Sequence, residues 1–573
     1  MSIFRPLDLC LAFALSCTLL QAEEARTEPD PGPANAILQH LLERRAELGL
    51  GETDGFIVKD AQADPDGALH VRCQQRYRGL RVWGGEAIVH LDPKGAEGPM
   101  TDALVRGIRL EVTPNLDQAE ALAITHASEA PQGAYARAPA IELVVYPATS
   151  LQPSPDSNGG RNARDFAPRV TGQHLAYHIH LNLQNGTPET RNDDYLVDAH
   201  TGAILRKWST LFTFKGKPMT KGKPATTLGQ SQYSGQVELG TLAATCGYVM
   251  ADPTRGTIST RDLAGSTDGR GVLYVSQEGR WGDGANYDPT RGSRSPNGQT
   301  AAVDAHYGLQ TTWDFYKHVL GRNGIDGKGT TAYNRVHYGS SYDNAFWDDD
   351  CFCMTYGDGE TFKSLTCLDV VGHEVSHGLC HATADLEYEG ESGGLNEASS
   401  DIFGAMVYLY GNAAHGKGSR LPAQGARWTI GDDLRTPAFP TPLRYMYKPS
   451  LDGFSPDAWS PDLDYMDVHL SSGPMNRAFY FLSQGSSASR KDDSYSEYLP
   501  KGMCGIGNDK ALRIWWRTLS TYLTPRSRYA DARRGALRAA EDLYGKGRET
   551  QAVRLAFHGI HVDGPSNATI MSY

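Results

Sequence analysis

The chain has 573 residues, 40% of them hydrophobic and 21% charged, so it is long enough for several packed units of ordinary globular composition. Its formal net charge of −12 argues against a nucleic-acid partner.

Arg5, the apolar run LCLAFALSCTLL at 9–20 and the small-residue end Leu20-Gln21-Ala22 read as a signal peptide over 1–22, which predicts secretion. The run is short for a membrane span, and no later segment is apolar enough to cross a bilayer. Residues 35–48 carry an amphipathic helix pattern. From 55 to 92 apolar and polar residues alternate, as in strands and hairpins. Residues 116–130 read as a helix. A stretch rich in Pro, Ser, Asn and Gly, 147–164, is expected to separate a unit at 23–146 from a second at 165–207. Residues 208–226 include the basic TFKGKPMTKGKPAT and read as an exposed linker suited to proteolytic processing.

A β-rich half, 227–380, follows, with a helix near 300–320. An α-rich half, 381–565, carries predicted helices at 396–411, 473–485, 508–523 and 529–544. Of nine cysteines, Cys10 and Cys17 leave with the signal and Cys73 stands alone. Cys246, Cys351, Cys353, Cys367, Cys380 and Cys504 lie in the later part. Export permits disulfides, and Cys351 and Cys353 are expected to be halves of two bridges with different partners.

At the junction of the two halves stands GHEVSHGLCH, 372–381. Residues four apart share a helix face, so His373 and His377 can converge on one ion. His381 is eight residues from His373, about 12 Å along the axis, whereas zinc–nitrogen bonds are about 2.0–2.1 Å. His381 is therefore expected to be solvated or to support a ligand. The remaining pattern, H-E-x-x-H, is that of a zinc-peptidase helix, with Glu374 as general base.

A catalytic zinc takes three protein ligands and leaves a position for water. A third histidine six residues after His377 is excluded, because that position holds Thr383. The alternative is a glutamate from a second helix. In SGGLNEASSDIFG, 392–404, Glu397 lies 20 residues after His377 at the start of a predicted helix. Asp401 is one turn further on the same face, where it can accept the second N–H of a ligand histidine.

HEVSH followed by GGLNEASSDIFG resembles the thermolysin family of metallopeptidases (M4), with pseudolysin and vibriolysin closest in motif detail. NAFW at 344–347 with YGDG at 356–359 is similar to the family's substrate-edge strand. MDVHLSSGPMNRAFYFLS at 466–483 and YADARRGALRAAEDLYG at 529–545 resemble its second catalytic segment and C-terminal helices. Upstream, RYRGLRVWGGEAIVHLD and DYLVDAHTGAILRKW resemble a fungalysin/thermolysin-type propeptide module and a PepSY module. The implied fold is α+β: a thermolysin-like catalytic unit, β-rich then α-helical around a zinc cleft, preceded by α+β propeptide modules.

The resemblance also implies roles. His373, His377 and Glu397 bind zinc, supported by Asn396 and Asp401. Tyr388 and His469 stabilise the oxyanion. Asp467 is favoured over Asp464 to orient His469, and both remain candidates. Asn344, Ala345 and Arg444 hold the substrate backbone. Phe362, Leu365, Val370, Ile430 and Leu443 line an apolar S1′ pocket, which implies cleavage before bulky hydrophobic residues. Family members bind Ca2+ near the site through several carboxylates. Here Asp369 and Asp432 match, while Tyr408, Arg427 and Thr429 stand where acidic residues are expected, so that calcium site is expected to be weak or lost.

These residues predict a secreted, zinc-dependent endopeptidase that is made as a preproenzyme and works as a monomer on protein substrates. Its own propeptide serves as chaperone and inhibitor. A binding protein on the same fold without catalysis is disfavoured, because Glu374, all three ligands, Tyr388 and His469 are present together. A zinc hydrolase of non-peptide amides is disfavoured by the apolar S1′ set.

Overall fold

The computed structural model describes residues 33–129, 138–154, 162–183, 191–209, 222–245, 247–349, 351–412 and 418–564. The expected signal peptide, most of the processing linker and Cys246 lie outside the described residues.

Alternation in the first third builds one sheet. Its strand order is Asp54–Ala63, Leu69–Tyr77, Leu80–Leu91, Ala140–Pro153, Phe166–Leu183, Arg191–Asp198 and Ile204–Ser209, with Thr101–Asp102 paired to Leu80–Leu91 off that path. Because strand side chains alternate between faces, Val71 and Cys73 pack with Ala87 and Val89 against Ile37 and Leu41 of the helix Pro33–Glu43. His70 and Arg72, on the other face, are buried too, because that face meets the C-terminal half of the chain. On either side of the stretch expected to separate two units, Ala140–Pro153 pairs with Phe166–Leu183, Ala140 opposite His180 and Pro153 opposite Phe166, so both strands belong to one sheet. The linker is also shorter than expected, since a strand starts at Lys223.

The next part is β-rich. A six-stranded sheet has the order Ala251–Asp252, Ile258–Asp262, Tyr333–Val336, Cys353–Tyr356, Ala345–Asp348, with Val272–Leu273 paired to Ile258–Asp262 off that path, which leaves Ala345–Asp348 at an edge. The helix Pro296–Val319 packs on this sheet and on Leu368–His381. Helices then dominate: Gly390–Gly411, Gly473–Gln484, Asn508–Arg517 with a π-helical turn Thr518–Tyr522, Tyr529–Tyr544 and Arg548–His558. One hydrophobic core joins the two halves, from Val237 and Leu239 through Val371 and Phe403 to Val553 and Val562.

Two differences from the expected elements have identifiable causes. The helix expected from 396 begins at Gly390, so Glu397 lies two turns inside it rather than at its start. Its glycines are there for close approach: a Cβ on Gly393 would sit 2.3 Å from Val468 Cγ1, and one on Gly394 2.6 Å from Ser471 Oγ. Packing overrides the low helix propensity of GESGG. The other difference concerns cysteine. Cys351 and Cys353 are bonded to each other, with Cα atoms 5.0 Å apart, and not to different partners. The intervening Phe352 takes φ 52, which turns the chain between the two strands. Among the described residues Cys73, Cys367, Cys380 and Cys504 are free thiols.

Candidate metal centre and active site

The centre forms where Leu368–His381 crosses Gly390–Gly411. A Cβ on Gly404 would lie 2.5 Å from the Asp369 carbonyl oxygen, and Gly372 faces the Gly404 Cα. Only glycine permits that approach. It brings His373 and His377 on one helix against Asn396, Glu397 and Asp401 on the other.

Each histidine is oriented through Nδ1. His373 Nδ1 lies 2.7 Å from Asp401 Oδ1, and His377 Nδ1 lies 2.8 Å from Asn396 Oδ1. Both acceptors require the proton on Nδ1, which leaves a lone pair on each Nε2. These two Nε2 atoms face each other at 3.2 Å. Lone pairs so placed repel unless a cation lies between them. Glu397 completes the set, with Oε1 3.3 Å from His377 Nε2 and Oε2 3.6 Å from His373 Nε2. Donors around a tetrahedral zinc at about 2.0–2.1 Å lie about 3.3 Å apart. Glu397 is fully buried, and its Oε2 accepts no hydrogen bond. An orphaned buried carboxylate oxygen beside two converging nitrogen lone pairs is the donor set of a divalent, nitrogen-accepting ion.

Between Leu368 and Cys380 every residue is buried except Glu374, which stands in the open side of the centre. Burial raises its carboxyl above the ordinary range, against the pull of His373 and His377. The Tyr388 hydroxyl donates to Glu397 Oε1 and lies 3.4 Å from His469 Nε2. Of the two carboxylates considered for His469, Asp467 is in contact, with Oδ1 2.8 Å from His469 Nδ1. Asp464 instead pairs with Arg528 at 2.5 Å. His469 is half exposed, as a group that meets a substrate must be before the substrate arrives.

Arg444 grips Asp401 through Nε at 2.7 Å and Nη2 at 2.6 Å. Sequence reasoning missed a further member of this group. Asn476 is buried and donates to Asp401 Oδ2 at 2.8 Å. A polar residue on the buried face of Gly473–Gln484 was the available clue. The apolar set gathers beside the centre. Leu365, Val370 and Ile430 are buried, and Phe362 and Leu443 are half-buried against the same core. Phe439, also missed, stacks edge-on with Phe362 at 4.9 Å between ring centroids. Asn344 is exposed at the start of the edge strand, and its Oδ1 accepts from the Ala345 N–H at 2.9 Å. His381 does not join the centre. It is largely exposed and lies 3.0 Å from Asp385 and 3.6 Å from Asp349.

Near Asp369 a guanidinium takes the central place among the carboxylates. Arg427 lies 3.0 Å from Asp369, 2.9 Å from Asp433 and 3.9 Å from Asp432, with its Cζ 4.0 Å above the Tyr408 ring.

The N-terminal sheet holds the segment that carries Tyr388. Lys59 reaches Asp385 at 2.8 Å, while the Trp83 indole N–H and Arg206 Nη1 each reach Glu387 at 2.6 Å. Arg206 Nε donates to Glu389. Both neighbours of Tyr388 are thus bound by the upstream part of the chain.

A metal-binding helix pair, a β-rich half before it and a helical half after it define the class, a metallopeptidase with an N-terminal pro-region. Residues 226–381 match the thermolysin metallopeptidase catalytic domain, 384–562 its alpha-helical domain and 54–96 the fungalysin/thermolysin propeptide motif. Thermolysin of Alicyclobacillus acidocaldarius subsp. acidocaldarius is 32% identical over 574 residues, covering 96% of this chain and 92% of that protein. The chain belongs to the thermolysin (M4) family of metallopeptidases. The transglutaminase-activating metalloprotease of Streptomyces mobaraensis is 39% identical over 517 residues, covering 89% of this chain and 61% of that protein's length. The precursor of protealysin from Serratia proteamaculans, at 29% identity, covers 53% of this chain and 87% of that one with a TM-score of 0.39, too loose to place residues. Among the described residues no helix is long and apolar enough to cross a membrane.

Proposed function

We propose that the chain is the precursor of a secreted zinc endopeptidase that cleaves proteins before bulky hydrophobic residues. The observation that carries this is the convergence of His373 Nε2, His377 Nε2 and the orphaned Glu397 oxygen, with Glu374 the one unburied residue between Leu368 and Cys380. Zinc, when bound, lowers the pKa of a water and polarises the scissile carbonyl. Asp401 and Asn396 fix the two imidazoles as nitrogen donors. Glu374 takes the proton of the attacking water and returns it to the leaving amine. Tyr388 and His469 donate to the oxyanion that forms at the carbonyl, and Asp467, which accepts from His469 Nδ1–H, favours the imidazolium whose Nε2–H makes that donation. The edge strand Ala345–Asp348 and Asn344 receive the substrate as an added strand, and Arg444 takes a substrate carbonyl while Asp401 anchors it. Phe362, Leu365, Val370, Ile430 and Leu443 form the S1′ pocket.

The MDVH form of the segment around His469 supports a pseudolysin- or vibriolysin-like branch. Residues 1–22 direct export, and cleavage within 208–226 severs the propeptide from the mature part. The propeptide holds Asp385, Glu387 and Glu389 around Tyr388.

The test is a quenched peptide with Phe or Leu at P1′, incubated with processed protein. Chelator-sensitive cleavage on the N-terminal side of that residue is the expected result. Zinc-replete, processed protein that cleaves nothing would favour a non-catalytic binding protein. Cleavage before charged residues instead would remove the S1′ assignment alone.

Arg427 takes over the role of a calcium ion at Asp369. A calcium-selective chelator, with zinc supplied, is expected to leave the melting temperature unchanged. Arg427→Ala is expected to cost about 3 kcal/mol, because Asp369 is left buried without its counter-charge. Added calcium that restored the stability of Arg427→Ala would identify the site's ancestry. A melting temperature of the parent chain that falls on calcium removal would refute the replacement.

A further inference from the structure

The contact between the propeptide sheet and the catalytic helices contains a buried histidine pair that the chemistry does not use. His70 on Leu69–Tyr77 and His90 on Leu80–Leu91 pair across the strands, with Nδ1 atoms 2.8 Å apart. Their side chains are 7% and 8% exposed, so water cannot stand in for a lost partner. Only one proton fits between two nitrogens at that distance. One Nδ1 therefore donates and the other keeps its lone pair.

The surroundings fix what extra protons would meet. His70 Nε2 lies 3.3 Å from Asp64 and 3.4 Å from Arg517 Nη2, and Arg517 pairs with Asp64 at 2.6 Å. His90 Nε2 lies 3.0 Å from Thr101 Oγ1, and its ring packs 5.2 Å from that of Tyr522. Tyr522 carries Arg538 over its face and donates to Asp542, which also pairs with Arg517 at 2.7 Å. On the strand itself, Arg72 pairs with Glu86 at 2.8 Å and donates to the Leu523 carbonyl at 2.9 Å. Lys59 bridges Glu86 to Asp385. One added proton on His70 can be met by Asp64. One on the His90 side breaks the Nδ1–Nδ1 bond and adds a cation among Arg72, Arg517 and Arg538, while every nearby carboxylate already has a partner.

We infer that the His70–His90 pair makes the propeptide's hold on the surface formed by Arg517, Tyr522, Leu523 and Arg538 acid-labile. The neutral pair is accommodated, and protonation releases the propeptide. This inference rests on the propeptide assignment and not on the proposed chemistry. Burial, then His70 and the Arg538, Arg517 and Arg72 charges, push His90 down to about 3. A histidine depressed in the assembled state holds fully above its free pKa, about 6.5, and loses its contribution as pH falls from there toward 3. At pH 5 the expected weakening relative to neutral pH is about thirtyfold. The carboxylate contacts behave differently: Asp64 and Glu387 lie below their ordinary range, so their ion pairs persist through pH 5.

The test uses the full chain with Glu374→Ala, so that no step depends on its own activity. A recognition sequence for an added site-specific protease is placed within 210–221. After nicking, departure of the propeptide from the catalytic part is timed by gel filtration at pH 7.5 and pH 5.0. Co-elution at pH 7.5 and release at least about tenfold faster at pH 5.0 are expected. His70→Asn with His90→Asn should bring the two rates within about twofold of each other, and His90→Gln alone is the second variant, should the pair of substitutions disturb folding. Parent rates that agree within about twofold at the two pH values overturn the proposal, as do variants that keep the full acid response.

Discussion

Glu374→Gln is expected to lower kcat/KM by about a thousandfold with almost no change in KM or zinc content. The helix Leu368–His381 buries every neighbour of this residue and leaves its carboxylate beside the two converging Nε2 atoms. The proposed third ligand is Glu397, whose oxygens lie 3.3 Å and 3.6 Å from the histidines, and Glu374 is assigned the base. Burial holds its pKa above that of an exposed glutamate, which brings it nearer the operating pH and improves it as a proton acceptor. Glutamine keeps the shape and a hydrogen-bonding oxygen but cannot take a proton. Only the transition state is affected, so the loss falls on kcat. The variant cannot process itself, so its linker must be opened by an added protease before kinetics. Zinc content by elemental analysis separates lost chemistry from lost metal. Activity within tenfold of the parent would mean that another group accepts the proton.

The centre was legible because its chemistry is written in two short segments. HEVSH has a spacing at which one helix can aim two imidazoles at one ion, and the 20-residue interval to Glu397 is long enough for a helix to turn back. What escaped was set by packing over long range. The early start of Gly390–Gly411 depends on Val468 and Ser471 filling the space above Gly393 and Gly394, from residues some 75 positions away. Spacing left both Asp467 and Asp464 open, with Asp467 favoured by the resemblance of MDVH. What separates them is Arg528, which lies 2.5 Å from Asp464 and belongs to a later segment. The role of Asn476 escaped for the same reason, since its partner Asp401 comes from a helix that precedes it by 75 residues. Composition around 147–164 could not show that the strands on either side of it pair in one sheet. The Cys351–Cys353 bond was misread because the left-handed backbone of Phe352, which closes the turn, leaves no mark in composition.

Asp401→Asn is expected to weaken zinc binding by about 10–100-fold and to destabilise the fold by about 3 kcal/mol. Asp401 is completely buried and accepts four hydrogen bonds, from His373, twice from Arg444, and from Asn476. Burial alone would raise its carboxyl, but Arg444 and His373 outweigh that and hold it well below the ordinary range. Asparagine removes the charge and turns an amide N–H2 toward groups that are themselves donors. Arg444 then keeps only Glu397, at 3.8 Å, and that carboxylate is needed by the metal. The ligand His373 loses the acceptor that fixes its tautomer, so zinc should leave faster, as a chromophoric chelator would record. Arg444→Met with Asp401→Asn should cost less than the sum of the two single changes, since neither charge is then left alone. The pH dependence has a definite sign. A carboxylate with a depressed folded-state pKa stabilises above its unfolded value, about 3.9, and loses that contribution as pH falls below it. The stability gap between parent and Asp401→Asn in urea should therefore be constant from about pH 8 to pH 5 and narrow below about pH 4. A gap under about 1 kcal/mol at neutral pH would show that Arg444 and His373 are held by packing and not by the Asp401 charge.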